Sequence, residues 1–183
     1  MPRPKSLPDE VVLECALTLM RSHGPDALSF GTLARATGLS GATLVQRFGS
    51  KPALIKAATS HAWDQLDRAT AEAIGSAPDG AEGVVSLLVA LSGYGDIETY
   101  ADNLLILRED LRDPELRARG RAWHAVLVDA ISTRLPDRRE GMAAVILDQW
   151  QGSLLWWSFD PDEKVEHHVE RRLRSLLALV TGV

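Results

Sequence analysis

The chain of 183 residues has a single cysteine, Cys15. A lone cysteine excludes an intrachain disulfide and any zinc or iron–sulfur site built on several thiolates. No apolar run approaches the ~20 residues that a membrane-spanning helix needs, so no membrane partner is expected. The segment Met1-Pro2-Arg3-Pro4-Lys5 leads into no apolar signal core, and the expected compartment is the cytoplasm. No glycine-rich phosphate loop occurs, and His124 with Asp129 lacks a nearby serine or cysteine for a triad. Glu163, His167, His168 and Glu170 suggest metal ligands at first sight. Adjacent helical side chains point about 100° apart, so the two histidines cannot share a face. A solvated face or ion pairs with Arg171 and Arg174 are expected there instead, and neither an enzymatic activity nor any cofactor is expected.

What remains is an ordinary globular composition, 45% hydrophobic and 25% charged. The formal net charge is -5, but it is unevenly spread. Residues 1–51 hold six basic side chains (Arg3, Lys5, Arg21, Arg35, Arg47, Lys51) against four acids (Asp9, Glu10, Glu14, Asp26), or +2. From Leu28 to Ala62 there is no acid at all, while Arg35, Arg47, Lys51 and Lys56 fall inside that window. A polyanion could approach such a stretch without local repulsion.

Apolar spacing predicts helices throughout and no alternating strand run. The first opens at Asp9 after Pro8, carries Val11, Val12, Cys15, Ala16 and Leu19 with Leu13, Leu17 and Met20 on a broad buried stripe, and ends at His23-Gly24-Pro25. Cys15 is expected to pack in the core. Ser29 caps a short second helix with Phe30, Leu33 and Ala34, closed by Gly38-Leu39. Ser40 caps a third, Gly41 to Arg47, anchored by Leu44 and Phe48 and turning Ala42, Thr43, Val45 and Gln46 outward. Two short helices about a glycine turn make a helix-turn-helix candidate, and a helix that enters a major groove needs such an outward face.

The run Leu28-Ser29-Phe30-Gly31-Thr32-Leu33-Ala34, then Gly38-Leu39-Ser40, Thr43-Leu44 and Phe48-Gly49-Ser50-Lys51 to Ala53-Leu54, resembles the N-terminal domain of TetR-family transcriptional regulators. The resemblance implies an all-α fold of about nine helices. It implies a helix-turn-helix DNA-binding domain over residues 1–51 and a helical ligand-binding and dimerisation domain over 52–183. It implies a homodimer on a double-stranded DNA operator, most often a repressor released by a small molecule. Thr43 and Gln46 then become the expected base readers, with Gly41 and Ala42 allowing close approach. Lys51 is expected at a phosphate, and Ser29, Thr32, Arg35 and Ser40 near backbone oxygens. The family usually has an aromatic that contacts a phosphate where Val45 stands, and often histidine or tyrosine where Arg47 stands. Arg47 is therefore expected to take over backbone positioning. Val45 also motivates a competing expectation: a helical dimer of this fold that binds a ligand or protein without specific DNA binding.

The fourth helix is expected over Lys51–Ile74, followed by the linker Gly75-Ser76-Ala77-Pro78-Asp79-Gly80. A fifth carries Val84, Leu87, Leu88 and Leu91, and a sixth Ile97, Tyr100, Ala101, Leu104, Leu105 and Leu111. A seventh starts at Asp113-Pro114 and stops at Pro136; an eighth spans Met142–Trp157 and a ninth Val165–Val180. Family resemblance places a dimer interface on the last two, at Ile146, Gln149, Gly152, Ser153, Trp156, Val169, Leu173 and Leu176. It also places an apolar or aromatic effector pocket among Tyr94, Tyr100, Trp123, His124, Trp150 and Trp157.

Overall fold

The structure is a computed structural model that describes residues 7–135 and 139–181. Arg3, Lys5 and the expected helix stop at Pro136 lie outside the described residues. Nine α-helices and no strand are present among the described residues. The first is α1 (Asp9–His23), whose Asp9 and Glu10 complement the positive end of the helix dipole. Gly24 leaves it at φ 79°, and Pro25–Ala27 form one 3-10 turn. Next come α2 (Phe30–Thr37) and α3 (Gly41–Phe48), separated by Gly38 at φ 73°, a left-handed position suited to glycine. The long α4 (Lys51–Ser76) runs two residues past the expected end. Then follow α5 (Gly80–Ala90), α6 (Ile97–Arg112), α7 (Pro114–Arg134), α8 (Met142–Trp157) and α9 (Val165–Thr181).

The chain forms two compact units. The first comprises the described residues up to Leu66 with Asp102–Arg119; the second comprises Asp67–Ala101 with the chain from Gly120. The first unit has its own core of Val12, Ala16, Leu17, Met20, Leu28, Leu33, Leu39, Leu44, Leu54, Ala58 and Ile106. Cys15 is half-buried against it and free, as its place on the α1 stripe predicts, while Val11 on the same helix is exposed. The second unit is built on α5, α8 and α9, with Leu87, Leu88, Leu127, Ile131, Ile146, Trp150, Val169 and Leu173 almost wholly buried. α5 lies so close to the preceding turn that a Cβ on Gly83 would stand 1.6 Å from the Pro78 carbonyl oxygen. Only glycine fits there.

The periodicity of α6 misleads in one respect. It puts Leu104, Leu105 and Leu111 on the buried stripe, yet all three are exposed, as is Leu107. Tyr100, on the same expected stripe, is buried in the core of the second unit, and Ile106, off that stripe, is buried in that of the first. A leucine-rich helix offers apolar positions on nearly every side, so spacing alone does not select the face that packs.

Within the first unit Trp63 Nε1 donates to Asp110 Oδ1 at 2.8 Å. Burial pushes the Asp110 carboxyl above its ordinary value of 3.8, the Trp63 hydrogen bond opposes that, and the Glu109 charge adds to it. A carboxyl raised in the folded state contributes stability that is complete below its unfolded value and is lost as pH rises through the folded one. Asp110→Asn keeps an acceptor for Trp63 and removes the charge. It is expected to raise the melting temperature at about pH 7 and to give no gain at about pH 3. Identical gains at both pH values, followed by calorimetry, would contradict this assignment.

Candidate nucleic-acid interface

The outward face of the first unit is set by hydroxyl caps. Ser29 and Thr32 form a reciprocal capping box: Thr32 N donates to Ser29 Oγ at 3.0 Å and Ser29 N to Thr32 Oγ1 at 2.9 Å. The Thr32 hydroxyl also donates toward the Ala27 and Ser29 carbonyls. On α3, Thr43 N donates to Ser40 Oγ at 3.1 Å, and the two hydroxyls lie 2.8 Å apart. Two hydroxyls with one bond between them keep one proton to donate elsewhere. The expected contact residues Ser29, Thr32, Ser40 and Thr43 are thus bonded first within the helix-turn-helix itself.

α3 is held from beneath by Leu44, fully buried, and Phe48, half-buried against the same core. Its far side carries Ala42, Val45 and Gln46, all exposed. A Cβ at Gly41 would meet nothing within 4 Å, so that glycine leaves open room at the helix start. Gln46 has no hydrogen-bond partner among the described residues, and its amide offers a donor and an acceptor together.

The basic side chains behave differently from what their sequence window implies. Arg47 Nη1 donates to the Leu7 carbonyl oxygen at 2.6 Å and lies 3.2 Å from Asp9 Oδ1, joining the end of α3 to the start of α1. Lys51 Nζ donates to the Asp26 carbonyl at 2.8 Å. Lys56 pairs with Asp113 and Glu115 at 3.3 and 2.8 Å, and the Glu115 contact chiefly raises its pKa. Arg35 is exposed and without a bonded partner among the described residues. The acid-free stretch therefore has acids next to it in space, supplied by α1 and by the α6–α7 junction. The anchor at Leu7 and Asp9 is 40 and 38 residues from Arg47, and no local signal marks it.

In the second unit the expected pocket residues mostly pack on one another. Tyr94 and Tyr100 meet edge to face at 5.1 Å, Tyr100 and Trp157 at 6.1 Å, and Trp123 and Trp150 at 6.2 Å. The indole N–H groups are satisfied within the unit: Trp123 by Thr70 Oγ1, Trp150 by Ser92 Oγ and Trp157 by the Glu163 carbonyl, each at 2.8 Å. Burial raises the hydroxyl pKa of Tyr94 and of Tyr100. His124 is exposed. An open groove of about 540 Å³ lies elsewhere, lined by Ile74, Ala125, Val126, Asp129, Ala130, Thr133 and Arg134, none of them expected from the sequence.

The expected interface residues divide in two. Ile146, Ser153, Val169 and Leu173 are buried within this chain. They cannot also face a second copy. Gln149 and Trp156 are exposed, Gly152 and Leu176 half-exposed, and Val145 extends their stripe. Trp156 and the unforeseen Phe159 are 69% and 73% exposed and pair at 5.6 Å. Near the start of α9, Glu163 accepts hydrogen bonds from Arg171 and lies 3.2 Å from His168 Nδ1, while Glu170 pairs with Arg174.

Residues 12–58 match the family model described as bacterial regulatory proteins, tetR family. No curated protein matches the chain. Among solved structures, the TetR family transcriptional regulator PfmR from Thermus thermophilus is similar, with 22% identity, 89% of this chain and 94% of that one covered, and a TM-score of 0.65. A putative transcriptional regulator from Saccharomonospora viridis in complex with choline gives 19%, 91%, 93% and 0.71. The regulator FadR from Bacillus subtilis in complex with stearoyl-CoA gives 15%, 94%, 97% and 0.68. The N-terminal segment thus carries the tetR-family domain, and the whole chain takes the fold of such regulators. Among the described residues no helix is long and apolar enough to cross a membrane.

The Arg47 anchor has a direct consequence. Arg47→Ala is expected to lower unfolding free energy by about 1.5–2 kcal/mol, the worth of a charged hydrogen bond. A loss below about 0.5 kcal/mol in urea titration would mean that the contact does not hold α3 in place.

Proposed function

We propose that the chain is a sequence-specific DNA-binding transcriptional regulator that works as a homodimeric repressor. The observation that carries this reading is the outward face of α3, held from below by Leu44 and left open around Gln46. Gln46 serves as an adenine reader through its paired donor and acceptor. The hydroxyl proton left over by Ser40 and Thr43, together with Arg35 and Lys51, serves the phosphates. Arg47 spends one guanidinium nitrogen on α1 and has others with which to position the backbone.

A second copy docks on the outward stripe of α8: Val145, Gln149, Gly152 and Trp156 recur at helical spacing. A Cβ on Gly152 would meet nothing within 4 Å in this chain, so the position is open to the close approach of a partner helix. Two-fold pairing presents two reading helices to a near-palindromic operator. A small apolar or aromatic effector acts on the second unit, where the groove beside Ile74, Val126, Ala130 and Thr133 offers room that the packed aromatic cluster does not. Choline and stearoyl-CoA in the two similar regulators support a ligand-responsive role without identifying this ligand. An effector that prefers a conformer with mis-spaced reading helices lowers DNA affinity by that differential, about 1–3 kcal/mol. α4 is one continuous helix shared by both units and is the link for that signal.

Selection from a random duplex pool tests the reading. Wild-type protein is expected to enrich one near-palindrome and to lose affinity steeply with salt. Gln46→Ala should cost about 1–3 kcal/mol and relax preference at one base pair. Arg35→Ala should weaken all sequences alike and reduce the salt slope by about one. Enrichment of no sequence at low ionic strength would leave the alternative of a ligand- or protein-binding dimer. Separately, Trp156→Glu is expected to yield monomers in analytical ultracentrifugation; an unchanged dimer would move the interface off this stripe.

A further inference from the structure

On the reading face of α3 the exposed side chains are not all polar. Val45 is 45% exposed, an apolar side chain on the face that the burial of Leu44 turns outward. Ala42 and Gln46 are exposed beside it, three residues before and one after. The hydroxyl of Thr43 is drawn to Ser40 and the guanidinium of Arg47 to Leu7 and Asp9. The face that remains is one free amide flanked by a methyl and an isopropyl group.

The major-groove edges of the bases offer that surface one apolar feature, the C5-methyl of thymine. Cytosine presents an amino group, and the purines present acceptors or an amino group, each of which a valine would desolvate without a bond. We propose that Val45, supported by Ala42, is a specificity-determining residue that reads the 5-methyl group of thymine in the half-site. This rests on the DNA-binding reading of α3 and adds a second, apolar element to it. Val45 then supplies recognition rather than a missing phosphate contact.

The test uses the full chain and the best duplex from the random-pool selection, with thymines replaced one at a time by uracil, which pairs identically and lacks only the methyl. Wild-type protein should lose about fourfold in affinity at one thymine of each half-site, the worth of one buried methyl. Val45→Ala should bind the thymine and uracil duplexes alike while losing affinity for the thymine duplex. Because Val45 lies outside the core, the variant's melting curve should match wild type. The proposal is overturned if wild-type binding is indifferent to every uracil substitution. It is equally overturned if Val45→Ala keeps the wild-type uracil penalty. A protein that selects no duplex at all fails at the earlier step, and that removes the DNA-binding reading and this assignment together.

Discussion

Burial of Leu44 is the constraint from which the interface follows. α3 has eight residues, too few for an isolated helix to persist in water. Its stability comes from the packing of Leu44 and Phe48 onto the core that α1, α2 and the start of α4 create. Once that side is committed, Ala42, Val45 and Gln46 have no choice but solvent. The Ser40 cap and the Arg47 anchor hold the two ends of the same helix. A rigid outward face loses little freedom on binding, which is what a groove-reading element requires.

The same geometry reassigns the polar groups. A count of charges along the chain describes Leu28 to Ala62 as wholly basic. In the folded first unit, Arg47 meets Asp9 and Lys56 meets Asp113 and Glu115. These are long-range pairs, and the net field at the surface is weaker than the window suggests. On the proposed reading, recognition rests more on Gln46, Val45 and a few donors than on bulk positive charge. The hydroxyls follow a parallel rule: each cap satisfies backbone donors at a helix start before it is available to anything outside.

The second unit shows why aromatic residues are poor guides to a cavity. Trp150 and Trp157 each find an acceptor for the indole N–H and pack among leucines and valines. Trp156, one residue away, is mostly in solvent. A helix turns about 100° per residue, so neighbours in sequence are assigned to different environments. The open groove beside Val126 and Asp129 contains no aromatic residue and had no signal in composition.

Helix count, order and most boundaries were legible from the sequence. Local chemistry carries them: Ser29 and Ser40 as caps, Gly24 and Gly38 at positive φ, Pro114 at a helix start. The helix-turn-helix and its inward Leu44 were legible for the same reason, since caps, turns and periodicity involve residues within a few positions. Only the tertiary structure decided which side of α6 is buried, which α8 and α9 residues stay exposed, and which cations are already paired. Those outcomes depend on residues tens of positions apart, and no local pattern encodes the distance between them.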